Sequence, residues 1–200
     1  MNTHENINQI IEISSNLFAV YDYDLTSISD ICKALNISKG RFYYYFSNKE
    51  DLFIACCKHA YSLADEVFTL FEFDEKLNLK DNLLNIFKCY QQIFEKYPYI
   101  PYMVYIINSS PPCSAKEARM EIGGEHQHRF LALIKVILDK YSIDIDPFHI
   151  SIGFHTSFMA TYARSGLREY EEIRVLIGND AYKSFNYYLD KFLFGILPRD

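Results

Sequence analysis

The chain has 200 residues; half are hydrophobic, 23% are charged and the net charge is -6. That composition excludes a disordered chain, and the length suits one large domain or a small domain joined to a larger one, with a sizeable core. The acidic balance argues against a general nucleic-acid coat, no apolar run reaches the roughly 18 residues of a membrane span, and the start MNTHENINQIIEI lacks signal-peptide segments, so a soluble, cytoplasmic protein is expected.

Glycine and proline are scarce, and apolar residues recur at spacings of three and four. These features predict an all-α fold of about nine helices. A first helix over 5–21 places Ile7, Ile10, Ile11, Ser14, Leu17 and Phe18 on one face. Thr26 or Ser27 can cap a short second helix, with Asp30 near its positive end and Ile28, Ile31, Cys32 and Leu35 on its apolar face. Asn36 tolerates a left-handed backbone, and Ser38 can cap a third helix that ends near Phe46. Two short helices joined by about three residues form a helix-turn-helix candidate.

SNKE at 47–50 has capping-box spacing, with Ser47 as the cap and Glu50 reaching back, and opens a long helix to about Phe73. Further helices are expected near 79–96, 100–108, 114–141, 147–165 and 169–196. Pro98 and Pro101 bracket one break, and Pro111 and Pro112 mark another. Ser114 with Glu117 repeats the box, Asp146–Pro147 is a cap followed by a proline, and Gly166 closes the penultimate helix.

The stretch SKGRFYYYFSNKEDL carries the clearest chemistry. From residue 33 to 49 the chain has Lys33, Lys39, Arg41 and Lys49 and no acid. Helix N-termini at Ser38 and Ser47 add partial positive charge and free N–H groups. Gly40 lets another surface approach the backbone. Tyr43 and Tyr44 offer hydroxyls for phosphates and rings for sugars or thymine methyls, while Phe42, Tyr45 and Phe46 can pack behind. These are the parts of a recognition helix in a major groove.

Residues 7 to 60 resemble the DNA-binding domain of tetracycline-repressor-type (TetR) transcriptional regulators. The resemblance rests on Leu17-Phe18-Ala19, Asp22-Tyr23, Thr26-Ser27, Asp30-Ile31-Cys32 and the whole run from Ser38 to Leu52, about a quarter of the chain. Asp22 and Asn36 stand where glycine is common in that family, Tyr44 where histidine is frequent, and Ser29 where arginine is frequent. The resemblance implies that Thr26 and Ser27 contact phosphate. It implies that Ser38, Lys39, Gly40, Arg41, Tyr43 and Tyr44 line the groove, and that Lys49 holds phosphate. Arg41 is the candidate for direct base reading.

The implied organisation is a helix-turn-helix domain over 1–47 and a helical effector-binding and dimerisation domain over 48–200. The expected partners are operator DNA, a second copy of the chain and a lipophilic or aromatic effector, without a cofactor. Dimerisation is expected through the last two helices. Small Gly153, Ser157 and Ala160 permit close approach there, and Ile177, Ala181, Phe185, Tyr188 and Phe192 form an apolar stripe. An internal helix pair would bury the same stripe. Phe68, Phe87, Tyr90, Met103, Ile107, Phe130, Phe154 and Phe158 are candidate pocket residues. Glu95 or Glu121 would select a cation if either lay inside.

Other chemistries lack their patterns. The five cysteines (32, 56, 57, 89 and 113) form no CxxC pair; the four helical ones read as core packing and Cys113 falls in a loop. His126, His128, His149 and His155 invite a metal, but the HQH spacing sends its two rings to different faces, which favours solvated or pocket-edge histidines. There is no glycine-rich phosphate loop, nucleophile elbow or HExxH, so an enzyme is not expected.

Overall fold

The computed structural model describes residues 3–109, 115–156 and 171–194. Its helices are α1 (Thr3–Tyr21), α2 (Ile28–Leu35), α3 (Lys39–Tyr45), α4 (Lys49–Ala64), α5 (Val67–Leu70), α6 (Leu79–Lys96), α7 (Ile100–Ser109), α8 (Ala115–Lys140), α9 (Pro147–Phe154) and α10 (Glu171–Phe194). No strand occurs among the described residues, which gives the expected all-α class. None of the described helices is long and apolar enough to cross a membrane. The expectations on Pro111, Pro112, Cys113, Ser114, Ser157, Phe158, Ala160 and Gly166 lie outside the described residues, and the side chains of Glu117, Ile177 and Ala181 are likewise undescribed.

Local chemistry sets the N-terminal elements. α1 ends where Asp22 turns left-handed (φ 68°). Ser27 caps α2 in a full capping box with Asp30. Asn36 closes α2 in the left-handed region (φ 52°), and its N–H bonds back to the carbonyls of Cys32 and Lys33. Asn tolerates that backbone because its short polar side chain relieves part of the cost. Ser38 then caps α3, accepting from the Arg41 N–H at 3.2 Å. Phe18, Tyr23 and Phe53 meet edge to face or tilted, with ring centroids 4.9–5.6 Å apart, and fasten α1 and its following turn to α4.

Two expectations about α4 are corrected. Asn48, not Ser47, is its cap, accepting from the Asp51 N–H at 2.8 Å. Glu50 instead accepts from the Ala115 N–H at 3.3 Å, at the start of α8. A carboxylate there meets both an orphan donor and the positive helix end. The helix also stops at Ala64 rather than continuing to Phe73. At that break Asp65 places its carboxylate on His126 and Arg129 of α8. Beyond α5, buried Asn82 then holds the connection, accepting from the Asp74 N–H and donating to the Asp74 carbonyl.

α6 is the central rod of the C-terminal body. It buries Leu79, Leu83, Leu84, Ile86, Phe87, Tyr90, Ile93 and Phe94. α10 packs on it through Phe185, which stacks on Phe87 and meets Phe154 of α9 edge to face. Cys32, Cys56, Cys57 and Cys89 are buried, as expected. Burial pushes the Cys56 thiol up to about 12 and raises that of Cys57 too, so both stay protonated and inert.

Candidate functional site

α3 splits into two faces. Phe42 is fully buried, Phe46 behind it is buried and Tyr45 is half-buried. Ser38, Lys39, Gly40, Arg41, Tyr43 and Tyr44 are exposed, and Tyr44 is 76% exposed. Six of the nine expected groove or phosphate residues therefore share one outward surface. Ser27 at the start of α2 is exposed as well.

Gly40 has no internal reason to be glycine. A Cβ added there would meet only the Ser38 Oγ, at 3.8 Å. Glycine inside a helix costs up to about 0.5–1 kcal/mol relative to alanine, and nothing in the fold's own packing offsets that cost here. Gly40→Ala should therefore raise stability by up to about 1 kcal/mol while weakening DNA binding. Denaturant melts and duplex titrations of the same variant check both halves.

Thr26 and Lys49 are placed differently from expectation. Thr26 is 2% exposed, and its hydroxyl donates inward to the Asp22 carbonyl at 2.8 Å. Lys49 Nζ donates to the carbonyls of Tyr23 (2.8 Å) and Thr26 (3.0 Å) and lies 4.1 Å above the Tyr23 ring. Both residues tie the α1–α2 turn to α4 instead of presenting a free polar group. Sequence spacing could not reveal this, because the carbonyls that Lys49 meets lie 23 and 26 residues away.

A second feature lies in the body. A cavity of about 580 Å³ opens among α4, α6, α7, α8 and α9. Of the expected pocket residues, Tyr90, Phe130 and Phe154 line it. Phe87, Met103 and Ile107 do not; each is fully buried in the core. Phe68 packs beside the site, against His126 (5.4 Å) and beneath the Arg129 guanidinium (4.1 Å). Glu95 and Glu121 do not line it either, and Glu121 pairs with Lys58 at 2.9 Å.

The polar lining was largely missed. His126 accepts or donates on both ring nitrogens: Nε2 meets the Tyr90 hydroxyl at 2.9 Å and Nδ1 meets Asp65 at 2.5 Å. Arg129 holds the other Asp65 oxygen at 2.6 Å. Asn108 of α7 donates to the Tyr61 hydroxyl of α4 at 2.6 Å. α8 can approach Tyr61 because Gly123 carries no side chain; a Cβ there would sit 2.9 Å from its hydroxyl. The signal available in sequence was the pair of histidines in HQH, expected to be solvated or at a pocket edge; both border the cavity. Among the described residues no group of three or more His, Cys, Asp or Glu is arranged to hold a metal.

The expected dimer residues with described side chains serve the chain's own packing. A Cβ on Gly153 would fall within the Tyr188 ring, so glycine is what allows α10 to reach α9. The Tyr188 hydroxyl donates to the His149 carbonyl at 2.6 Å. Phe192 packs on the His149 and Tyr188 rings, and Phe185 is 1% exposed. The internal pairing that the sequence left open accounts for all four. Among the described side chains of α9 and α10, Phe148, Ile152 and Tyr187 are large, apolar and exposed.

Comparison with known proteins agrees with this architecture. Residues 10–56 match the family described as bacterial regulatory proteins, tetR family. The biofilm operon icaADBC HTH-type negative transcriptional regulator IcaR of Staphylococcus epidermidis is 26% identical over 144 residues, covering 72% of this chain and 71% of that protein. The uncharacterized HTH-type transcriptional regulator YuxN of Bacillus subtilis is 43% identical over 60 residues, 30% of this chain and 20% of that protein. A TetR-like transcriptional regulator from Rhodococcus sp. RHA1 shares the fold, with a TM-score of 0.70 at 17% identity over 98% of this chain and 99% of that one. The helix-turn-helix segment thus matches the tetR family, a negative transcriptional regulator is similar over most of the chain, and the whole chain shares the all-helical fold of a TetR-like regulator.

Proposed function

We propose that the protein is a homodimeric repressor that binds a palindromic operator and is released by a small effector. The observation that carries the DNA-binding half is the exposed α3 surface, acid-free and built of Lys39, Gly40, Arg41, Tyr43 and Tyr44. IcaR, the relative similar over most of the chain, is named as a negative regulator, which favours repression over activation. A single helix-turn-helix reads a short half-site, so a two-fold pair reads two. Among the described side chains, exposed Phe148, Ile152 and Tyr187 on α9 and α10 are apolar groups available to such a pair.

The division into a reading head over 1–47 and an effector-binding body over 48–200 suits this function, with α4 as the link. α4 supports α1 through Phe53 and reaches the cavity through Tyr61 and Ala64. An effector that moves Tyr61 or the Asp65–His126 pair displaces α4 and with it α3. Two recognition helices fit successive major grooves only when about 34–36 Å apart. An effector that favours another separation lowers operator affinity by its differential binding to the two states. The runner-up is a DNA-binding protein without an effector; operator release by a cavity ligand separates the two.

Arg41→Ala tests the base-reading role. Arginine grips guanine O6 and N7 through two bonds, so the variant should lose about 1–3 kcal/mol on the preferred duplex and discriminate less among sequences. An equal loss on every duplex would reduce Arg41 to a phosphate contact.

A further inference from the structure

We infer that the cavity takes an amphipathic anion, a carboxylate carried on an aromatic or acyl body, with the carboxylate seated at Ser151, Gln127 and His155. The inference rests on the reading of this cavity as the effector site. Its volume of about 580 Å³ falls in the range of sites that enclose drug-sized molecules. Phe130, Phe154, Tyr90 and Val104 supply the apolar wall.

The ionisable lining is one-sided. Among the described residues that line the cavity there is no Asp, Glu, Lys or Arg. Asp65, which reaches the lining through His126, is already shared between that imidazole and Arg129. Neither a cation nor an anion meets a permanent counter-charge there, and such burial is costly, so the hydrogen-bonding groups decide. Donors that suit an anion are present. Ser151 is 1% exposed; its Oγ accepts from Gln127 Nε2 at 3.0 Å, which leaves the hydroxyl proton to donate. His155 Nε2 lies 3.3 Å from Gln127 Oε1, so the three side chains form one chain along the wall.

Desolvation, and then the neighbouring His126, lower His155 to about 4, although part of the residue stays open to solvent. A carboxylate beside it favours the protonated ring and gains a charge-assisted bond. His126 itself is fixed between Tyr90 of α6 and Asp65 at the end of α4, with Arg129 behind.

The test is calorimetric titration of the full chain at neutral pH with three compounds of one shape: biphenylcarboxylate, biphenylmethanol and biphenylmethylamine. The carboxylate should bind at least about tenfold more tightly than the ammonium form, with the alcohol between them. Ser151→Ala and, separately, Gln127→Leu should weaken the carboxylate more than the alcohol and narrow the gap between them. An ammonium that binds as well as the carboxylate overturns the charge assignment while leaving the effector site standing. A carboxylate preference that survives both substitutions overturns the seat. Failure of all three compounds to bind overturns the effector reading of the cavity, and this inference with it.

Discussion

Gly153→Val should destabilise the fold by about 2–3 kcal/mol, the cost of forcing extra atoms into a packed contact. The added Cβ alone would overlap the Tyr188 ring, and that ring is held from both sides. It stacks against Phe185 and Phe192, and its hydroxyl is anchored on the His149 carbonyl. α10 must therefore back away from α9, and the contacts of Phe185 with Phe87 and Phe154 loosen with it. Urea unfolding at fixed protein concentration measures the loss. Removing the obstructing ring in the double variant Gly153→Val, Tyr188→Ala should make the valine's own cost fall well below its cost alone. Tyr188→Phe, which keeps the ring and deletes one hydrogen bond, should cost only about 1 kcal/mol. If Gly153→Val leaves monomer stability untouched and abolishes self-association, Gly153 belongs to an intersubunit contact instead.

Lys49→Met should cost about 2–3 kcal/mol of stability. Hydrogen bonds from a charged donor contribute about 1.5–3 kcal/mol each, discounted here because Lys49 is only half-buried. The variant leaves the Tyr23 and Thr26 carbonyls without this donor and removes the cation above the Tyr23 ring. The turn between α1 and α2 then loosens against α4. DNA affinity should fall on all sequences together, because the placement of α2 and α3 is lost rather than one base contact. A phosphate contact gives a different pattern: unchanged stability, with the salt slope of binding reduced by about 1. Thermal melts and salt titrations of one variant separate the two roles.

The helix-turn-helix end was legible in the sequence because its signals are local. Ser27 with Asp30, Ser38 with Arg41, and the left-handed positions Asp22 and Asn36 each act within four residues. The buried and exposed faces of α3 also followed from the order of Phe42, Tyr43, Tyr44 and Phe46. Where partners lie far along the chain, local reading failed. Glu50 looked like a capping residue until α8 supplied Ala115, and α4 looked continuous past Ala64, where Asp65 meets His126 and Arg129 from 61 and 64 residues away.

The cavity shows a second limit. Helical spacing tells that Phe87 and Tyr90 are both apolar positions of α6, but not that only Tyr90 borders open space. The same limit applies to α10. Its stripe read equally well as an internal contact or a dimer face, and the resemblance favoured the dimer. The geometry of Gly153 and Tyr188 assigns those two residues to the chain's own packing. Apart from the histidines of HQH, the polar lining had no sequence signature, because its members come from five different helices and meet only in the fold.

The central claim is sequence-specific DNA binding by a two-fold pair of α3 helices. Selection of the full chain against random duplex DNA at stated salt, followed by sequencing, tests it most directly. The account predicts an enriched palindrome whose half-site centres lie about one helical turn apart, each half carrying a guanine that Arg41→Ala ceases to prefer. Weak binding that falls steeply with salt and enriches no sequence would contradict it.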